Sequence, residues 1–133
     1  MKSQSFEDKK VLIIDDSAVL RTILSKNLEQ VGFAKHNLIE SHDGEDGLEK
    51  LIVDKFDLVI TDWYMPKMDG LEFVKMIKEK EHLKSIPLLM VTSEMDSRKE
   101  LEAFKAGISA YIIKPFTAND LESKIREIFA KGN

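Results

Sequence analysis

Three aspartates, a threonine and a lysine stand out because each follows an apolar run. Val11 to Ile14 is followed by Asp15-Asp16, and the run from Phe56 to Ile60 leads to Asp62. Pro87 to Val91 leads to Thr92, with Ser93 and Glu94 behind it, and Ala110 to Ile113 leads to Lys114-Pro115. Carboxylates gathered within about 4 Å repel by on the order of 4 kcal/mol at an effective dielectric of 20. Either one keeps its proton or a cation sits between them. A donor set made only of oxygen, with no His or Cys, points to a hard divalent ion: Mg²⁺, with Mn²⁺ as the other choice. Mg²⁺ takes few protein ligands and leaves positions for water and phosphate oxygens. Lys114 and the Thr92 hydroxyl suit the remaining oxygens of a phosphoryl group. One chemistry joins the set: an aspartate attacks phosphorus and becomes an acyl phosphate. Asp62 is the candidate nucleophile, because Trp63-Tyr64-Met65-Pro66 follows it as a loop that can turn a carbonyl toward a metal.

Each residue also has an ordinary structural use. An Asp-Asp pair can cap a helix, a lone Asp can make a turn, and Lys-Pro is a common loop dipeptide. The joint placement of all of them, each after an apolar run, carries the reading.

The runs read as strands. Val11 to Ile14, Phe56 to Ile60, Pro87 to Val91 and Ala110 to Ile113 show little polar alternation, which suits parallel strands covered on both faces. Leu38 to Ile39 is a shorter fifth. Between them lie helical spacings. Leu20, Ile23, Leu24, Leu28 and Val31 form one apolar face, closed by Gly32. Leu48, Leu51 and Ile52 form a second, and Leu71, Val74 and Ile77 a third. Leu101 and Phe104 form a fourth, closed by Gly107, and Leu121, Ile125 and Ile128 the last. Asp43-Gly44 reads as the turn into the second helix. Asp69 with Glu72, Ser97 with Glu100 and Thr117 with Asp120 have capping-box spacing. Five consecutive βα units predict an α/β fold with an open, doubly wound parallel sheet, since a closed barrel needs eight. In such sheets ligands bind beyond the carboxyl ends of the strands, which is where the candidate residues lie.

Composition narrows the field. The chain has 133 residues, the size of one domain, and residues 1–133 are read as a single unit. Apolar residues are 43% and charged residues 33%, so neither a disordered polyelectrolyte nor a membrane protein is expected. Twenty basic against 24 acidic residues give a net charge of −4 with no basic cluster, which argues against nucleic-acid binding. The absence of cysteine excludes disulfides, thiolate-bound metals and thiol nucleophiles. The first ten residues lack the apolar stretch of a signal peptide, and no run reaches membrane-spanning length, so a cytoplasmic protein is expected. His36, His42 and His82 form no cluster, and the six methionines are scattered.

From about Lys10 to Ala130 the chain resembles the receiver domain of bacterial two-component response regulators, most closely the stand-alone, CheY-like receivers of chemotaxis. The resemblance rests on Leu12-Ile13-Ile14-Asp15-Asp16-Ser17 and on Asp62 with Met65-Pro66 and Asp69-Gly70. It rests further on Thr92 after its strand, and on Tyr111 to Phe116 with its Lys-Pro. It implies a flavodoxin-like sheet of order 2-1-3-4-5. It implies that Asp62 is phosphorylated and that Asp15, Asp16, Asp62 and the Tyr64 backbone carbonyl serve Mg²⁺, one of them through water. Thr92 is then the switch hydroxyl, Lys114 the phosphate-binding lysine before a cis Pro115, and Tyr111 the aromatic that turns inward when the hydroxyl moves. A histidine kinase would donate the phosphoryl group, a phosphatase could remove it, and the chain itself would catalyse only its own modification. The face of the fourth helix, fifth strand and fifth helix would pass the signal to a flagellar motor switch protein, with a monomer as the default state. Tyr64 departs from the pattern, since this position is small or polar in many receivers. Its ring, with Glu94, is expected to shield the acyl phosphate.

Other readings stay open at this level. A phosphate sink or phosphorelay intermediary would use the same residues, and a degenerate receiver would bind without phosphorylation. A flavin module shares the strand order, but Asp15-Asp16 would repel a flavin phosphate. A phosphotransferase for small substrates would carry its aspartate nucleophile on the first strand. A receiver cut from a longer regulator is a further possibility.

Overall fold

The computed structural model describes residues 5–131. Strands and helices alternate along it. β1 (Val11–Ile14), α1 (Ala18–Val31), β2 (Leu38–Ser41) and α2 (Gly44–Val53) come first, then β3 (Leu58–Thr61) and α3 (Gly70–Lys78). β4 (Leu88–Thr92), α4 (Ser97–Ala106), β5 (Ala110–Ile113) and α5 (Ala118–Lys131) complete the series. The five strands form one parallel sheet in the order β2-β1-β3-β4-β5. After β1 the chain goes to one side for β2 and returns to the other for β3. The switch point therefore lies between the ends of β1 and β3, where Asp15 and Asp62 stand.

Both faces of the sheet are covered, as the unalternated runs require. Along β1, Val11 and Ile13 pack toward α1 and α5, while Leu12 and Ile14 pack toward α2 and α3. β3 and β4 divide the same way: Leu58, Ile60, Leu89 and Val91 face one side, Val59, Leu88 and Met90 the other. β2 runs two residues further than expected, to Ser41, because its register is set by pairing with β1 rather than by its own apolar content. β3 starts at Leu58; Phe56 is buried beside the sheet without joining it.

The helix ends explain where the functional loops start. Ser17 caps α1 by accepting from Leu20 N, and Asp43 caps α2 by accepting from Asp46 N. Asp69 and Glu72 form the expected capping box on α3, and Thr117 and Asp120 exchange reciprocal bonds before α5. The expected Ser97–Glu100 box is replaced: Asp96 caps α4, and Ser97 is already helical.

Two further expectations change. Leu101 and Phe104 do not face the core; they are 55% and 40% exposed, and α4 packs through the buried Ala103 instead. Ile23 and Ile52 also reach solvent. Phe6 is fully buried although its segment reads as polar. It stacks on Phe33 at 4.8 Å and lies 5.4 Å from Phe129, closing the ends of α1 and α5. Among the described residues no helix is long and apolar enough to cross a membrane.

Candidate functional site

At the switch point the chain places two buried carboxylates under one ammonium. Lys114, the first residue after β5, donates to Asp62 Oδ2 at 3.0 Å and to Asp15 Oδ2 at 3.4 Å. Asp15 directly follows β1 and Asp62 directly follows β3, so neighbouring strands in the sheet fix their separation. The second oxygens are held by backbone. Asp15 Oδ1 accepts from Ser17 N at 2.8 Å, and Asp62 Oδ1 accepts from Trp63 N at 2.6 Å and from Tyr64 N at 3.4 Å. Burial pushes the Asp15 carboxyl above the ordinary carboxylate range, and the neighbouring Asp62 charge adds to this. The Ser17 amide and Lys114 pull the other way. The Lys114–Pro115 bond is cis, as the resemblance implies.

Asp16 is not drawn into this pair. It is exposed, and among the described residues no three acidic or imidazole side chains group closely enough to form a metal cage. Successive residues at a strand end face opposite ways, so only one of two adjacent aspartates enters the pair. The donors present nonetheless fit Mg²⁺. They are oxygens only, two carboxylates are already aligned, and Mg²⁺ needs one or two carboxylates with water completing its shell. A divalent cation also relieves the strain that burial and proximity impose on Asp15.

The loop after Asp62 is pinned from below. Gly70 N donates to Trp63 O at 2.7 Å, and a Cβ on Gly70 would lie only 2.1 Å from the Asp62 carbonyl oxygen. Only glycine lets α3 start this close to Asp62. Arg21 braces β1, donating to the Asp15 carbonyl at 2.5 Å and pairing with Glu40 at 2.9 Å.

Thr92 is buried at the end of β4, and its hydroxyl oxygen accepts from Glu94 N at 3.3 Å. Tyr111 is 7% exposed, and its hydroxyl donates to the Glu94 carbonyl at 2.9 Å. Burial, reinforced by nearby acids, pushes its phenol up to about 12. Its ring is thus turned inward. Tyr64 does meet Glu94, as expected, with its hydroxyl donating to Glu94 Oε1. Lys99, which the sequence did not single out, joins them. Its ammonium lies 3.2 Å from Tyr64 Oη and 3.3 Å from Glu94, and over the rings of Trp63 and Tyr64. Hydrogen bonding to the Tyr64 hydroxyl, followed by the Asp96 amide, holds the Glu94 carboxyl below its ordinary value.

Residues 11–126 match the model of the response regulator receiver domain. The chain belongs to that family. It is similar to chemotaxis protein CheY of Pseudomonas aeruginosa, at 40% identity over 93% of this chain and 98% of that protein. It is similar to CheY-3 of Vibrio cholerae, at 41% identity over 94% and 95%. Among solved structures, Vibrio cholerae CheY4 superposes with a TM-score of 0.82 at 32% identity, covering 90% of this chain and 98% of that one. A response regulator receiver domain protein of Clostridium thermocellum gives 0.82 at 27% identity, covering 92% and 95%. In this receiver fold the Asp15–Lys114–Asp62 cluster occupies the switch point at which such sheets bind ligands.

Proposed function

We propose that this receiver is a cytoplasmic single-domain response regulator that takes a phosphoryl group from a histidine kinase onto Asp62, in a chemotaxis pathway. The observation that carries the reading is Lys114 spanning Asp62 and Asp15 at the switch point. The carboxylate oxygen of Asp62 attacks the phosphorus of a phosphohistidine. The P–N bond breaks, the imidazole leaves and takes up a proton from water, and an acyl phosphate remains on Asp62. Lys114 passes from the carboxylates to a phosphoryl oxygen. Thr92 already accepts from Glu94 N, so its own hydrogen is the one to give to another phosphoryl oxygen. Asp15, Asp62 and the Tyr64 carbonyl would hold Mg²⁺ directly and Asp16 through water. Bound there, the ion supplies charge neutralisation for the incoming phosphoryl oxygens. The chain catalyses no other turnover in this reading and acts as a monomer without nucleic acid.

Two surfaces fit the partners. An apolar dent lined by Leu20, Ile23, Pro115 and Phe116 borders Lys114 and suits a helical kinase domain that must bring its phosphohistidine to Asp62. On α4, the exposed Leu101 and Phe104 line one surface groove that suits the output protein, and Ile113 of β5 is also exposed. The relatives named as chemotaxis proteins support a chemotaxis output, for which we propose a flagellar motor switch protein as the reader. The test is transfer of label from an autophosphorylated kinase to wild type and to Asp62→Asn, followed by binding to the motor switch protein. Label on wild type only, with tighter binding once phosphorylated, is expected. Label without any gain in binding would replace motor control by a phosphate sink.

A further inference from the structure

Glu94 uses nearly every polar atom it has. Its N–H donates to the Thr92 hydroxyl and its carbonyl accepts from Tyr111. One carboxylate oxygen accepts from Tyr64 Oη and lies 3.3 Å from Lys99, and the other accepts from Asp96 N at 2.9 Å. Asp96 is the cap of α4 and Lys99 lies in the first turn of that helix. Tyr64 stands two residues after Asp62. One acidic side chain therefore ties the acceptor loop to the start of α4, while its own backbone holds Tyr111 inward.

We infer that Tyr64, Glu94 and Lys99 form a clasp that keeps Tyr111 buried and couples the acceptor loop to the output face by a route separate from the Thr92 hydroxyl. Tyr111 can stay inward only while the Glu94 carbonyl is presented to its hydroxyl, and the orientation of that peptide follows from where the Glu94 side chain is anchored. Two of the three anchors, Tyr64 and Lys99, lie outside the loop from Ser93 to Asp96 and fix it in space. Lys99 bridges both partners and covers the Trp63 and Tyr64 rings at 5.8 and 5.5 Å, so removing its charge loosens all three.

The experiment is nitration of the full chain by tetranitromethane, with the modified tyrosine located by peptide mass. In wild type, Tyr64, which is 46% exposed, reacts and Tyr111 is protected. In Lys99→Met and in Tyr64→Phe, Tyr111 should react roughly tenfold faster, the change expected from losing a charge-assisted hydrogen bond. Lys99→Arg should restore protection, and Thr92→Val should leave Tyr111 protected. Far-UV circular dichroism checks that each variant is folded, and both clasp positions are at the surface. Tyr111 equally protected in both clasp variants, or freely reactive in wild type, would overturn the inference. Exposure in Thr92→Val alone would assign the coupling to the hydroxyl instead. Failure of Asp62 to accept phosphate would overturn the proposed function and leave this result untouched.

Discussion

Replacing Gly70 by alanine should damage both the fold and the proposed acceptor site, for one geometric reason. The added Cβ would lie 2.1 Å from the Asp62 carbonyl oxygen, 2.9 Å from Trp63 Cα and 3.0 Å from the Asp62 carbonyl carbon. All three are backbone atoms, so no side chain can swing away. Reaching even a 3.4 Å contact requires the start of α3 to retreat by about 1.3 Å. That retreat breaks the 2.7 Å bond from Gly70 N to Trp63 O. Overpacking of this kind costs about 1–3 kcal/mol and a lost hydrogen bond about 1 more. A displacement near 1 Å in a group that must align with a reacting centre costs on the order of 10²-fold in rate. Gly32→Ala is the control. Gly32 has φ of +125° with no atom within 4 Å of an added Cβ, so it pays only backbone strain, about 1 kcal/mol, far from the site. Urea unfolding followed by circular dichroism gives the stabilities, and the rate of modification by a small acyl-phosphate donor gives the function. Both variants should lose stability, and only Gly70→Ala should lose rate beyond twofold. A Gly70→Ala protein as stable and as fast as wild type, or a Gly32→Ala protein equally slow, would refute the reasoning.

Other outcomes follow from single features. Phe6→Ala should cost about 3–5 kcal/mol in urea unfolding, because the ring is fully buried between Phe33 and Phe129; a loss below 1 kcal/mol would show that the N-terminal segment does not seal the core. Ultraviolet titration should show a tyrosine ionising near pH 12, and Tyr111→Phe should remove that step. The folded state holds this proton longer than the unfolded state, whose value is 10.0, so the linked stability is complete below pH 10 and is lost between 10 and 12. A Tyr111 step near pH 10 would contradict the burial argument. Tyr64→Asn should lose its acyl phosphate faster than wild type in a dephosphorylation time course, since the ring beside Glu94 would no longer shield it; an unchanged or slower rate would remove that role.

Much of the site was legible because strand ends are legible. Asp15, Asp62, Thr92 and Lys114 each follow an unalternated apolar run, and a parallel sheet has to bring such ends to one edge. What escaped the sequence was set by tertiary contact. Asp15 and Asp16 are chemically identical, and only the direction each leaves β1 separates the buried one from the exposed one. Leu101 and Phe104 have helical spacing, and spacing alone cannot tell a core face from an exposed apolar one. A single aromatic in a charged segment, Phe6, carries no periodicity at all. Lys99 gave no signal because its partners, Trp63, Tyr64 and Glu94, lie on two loops that meet only in the folded chain.

The central claim is that Asp62, held by Lys114, accepts a phosphoryl group with Mg²⁺. It is tested most directly by intact-mass spectrometry after incubation with an acyl-phosphate donor, with and without Mg²⁺, for wild type and Asp62→Asn. The account predicts a single added phosphoryl group on wild type, dependent on Mg²⁺ and absent from the variant. The same mass gain in Asp62→Asn, or none in wild type while its Trp63 fluorescence still responds to Mg²⁺, would contradict it.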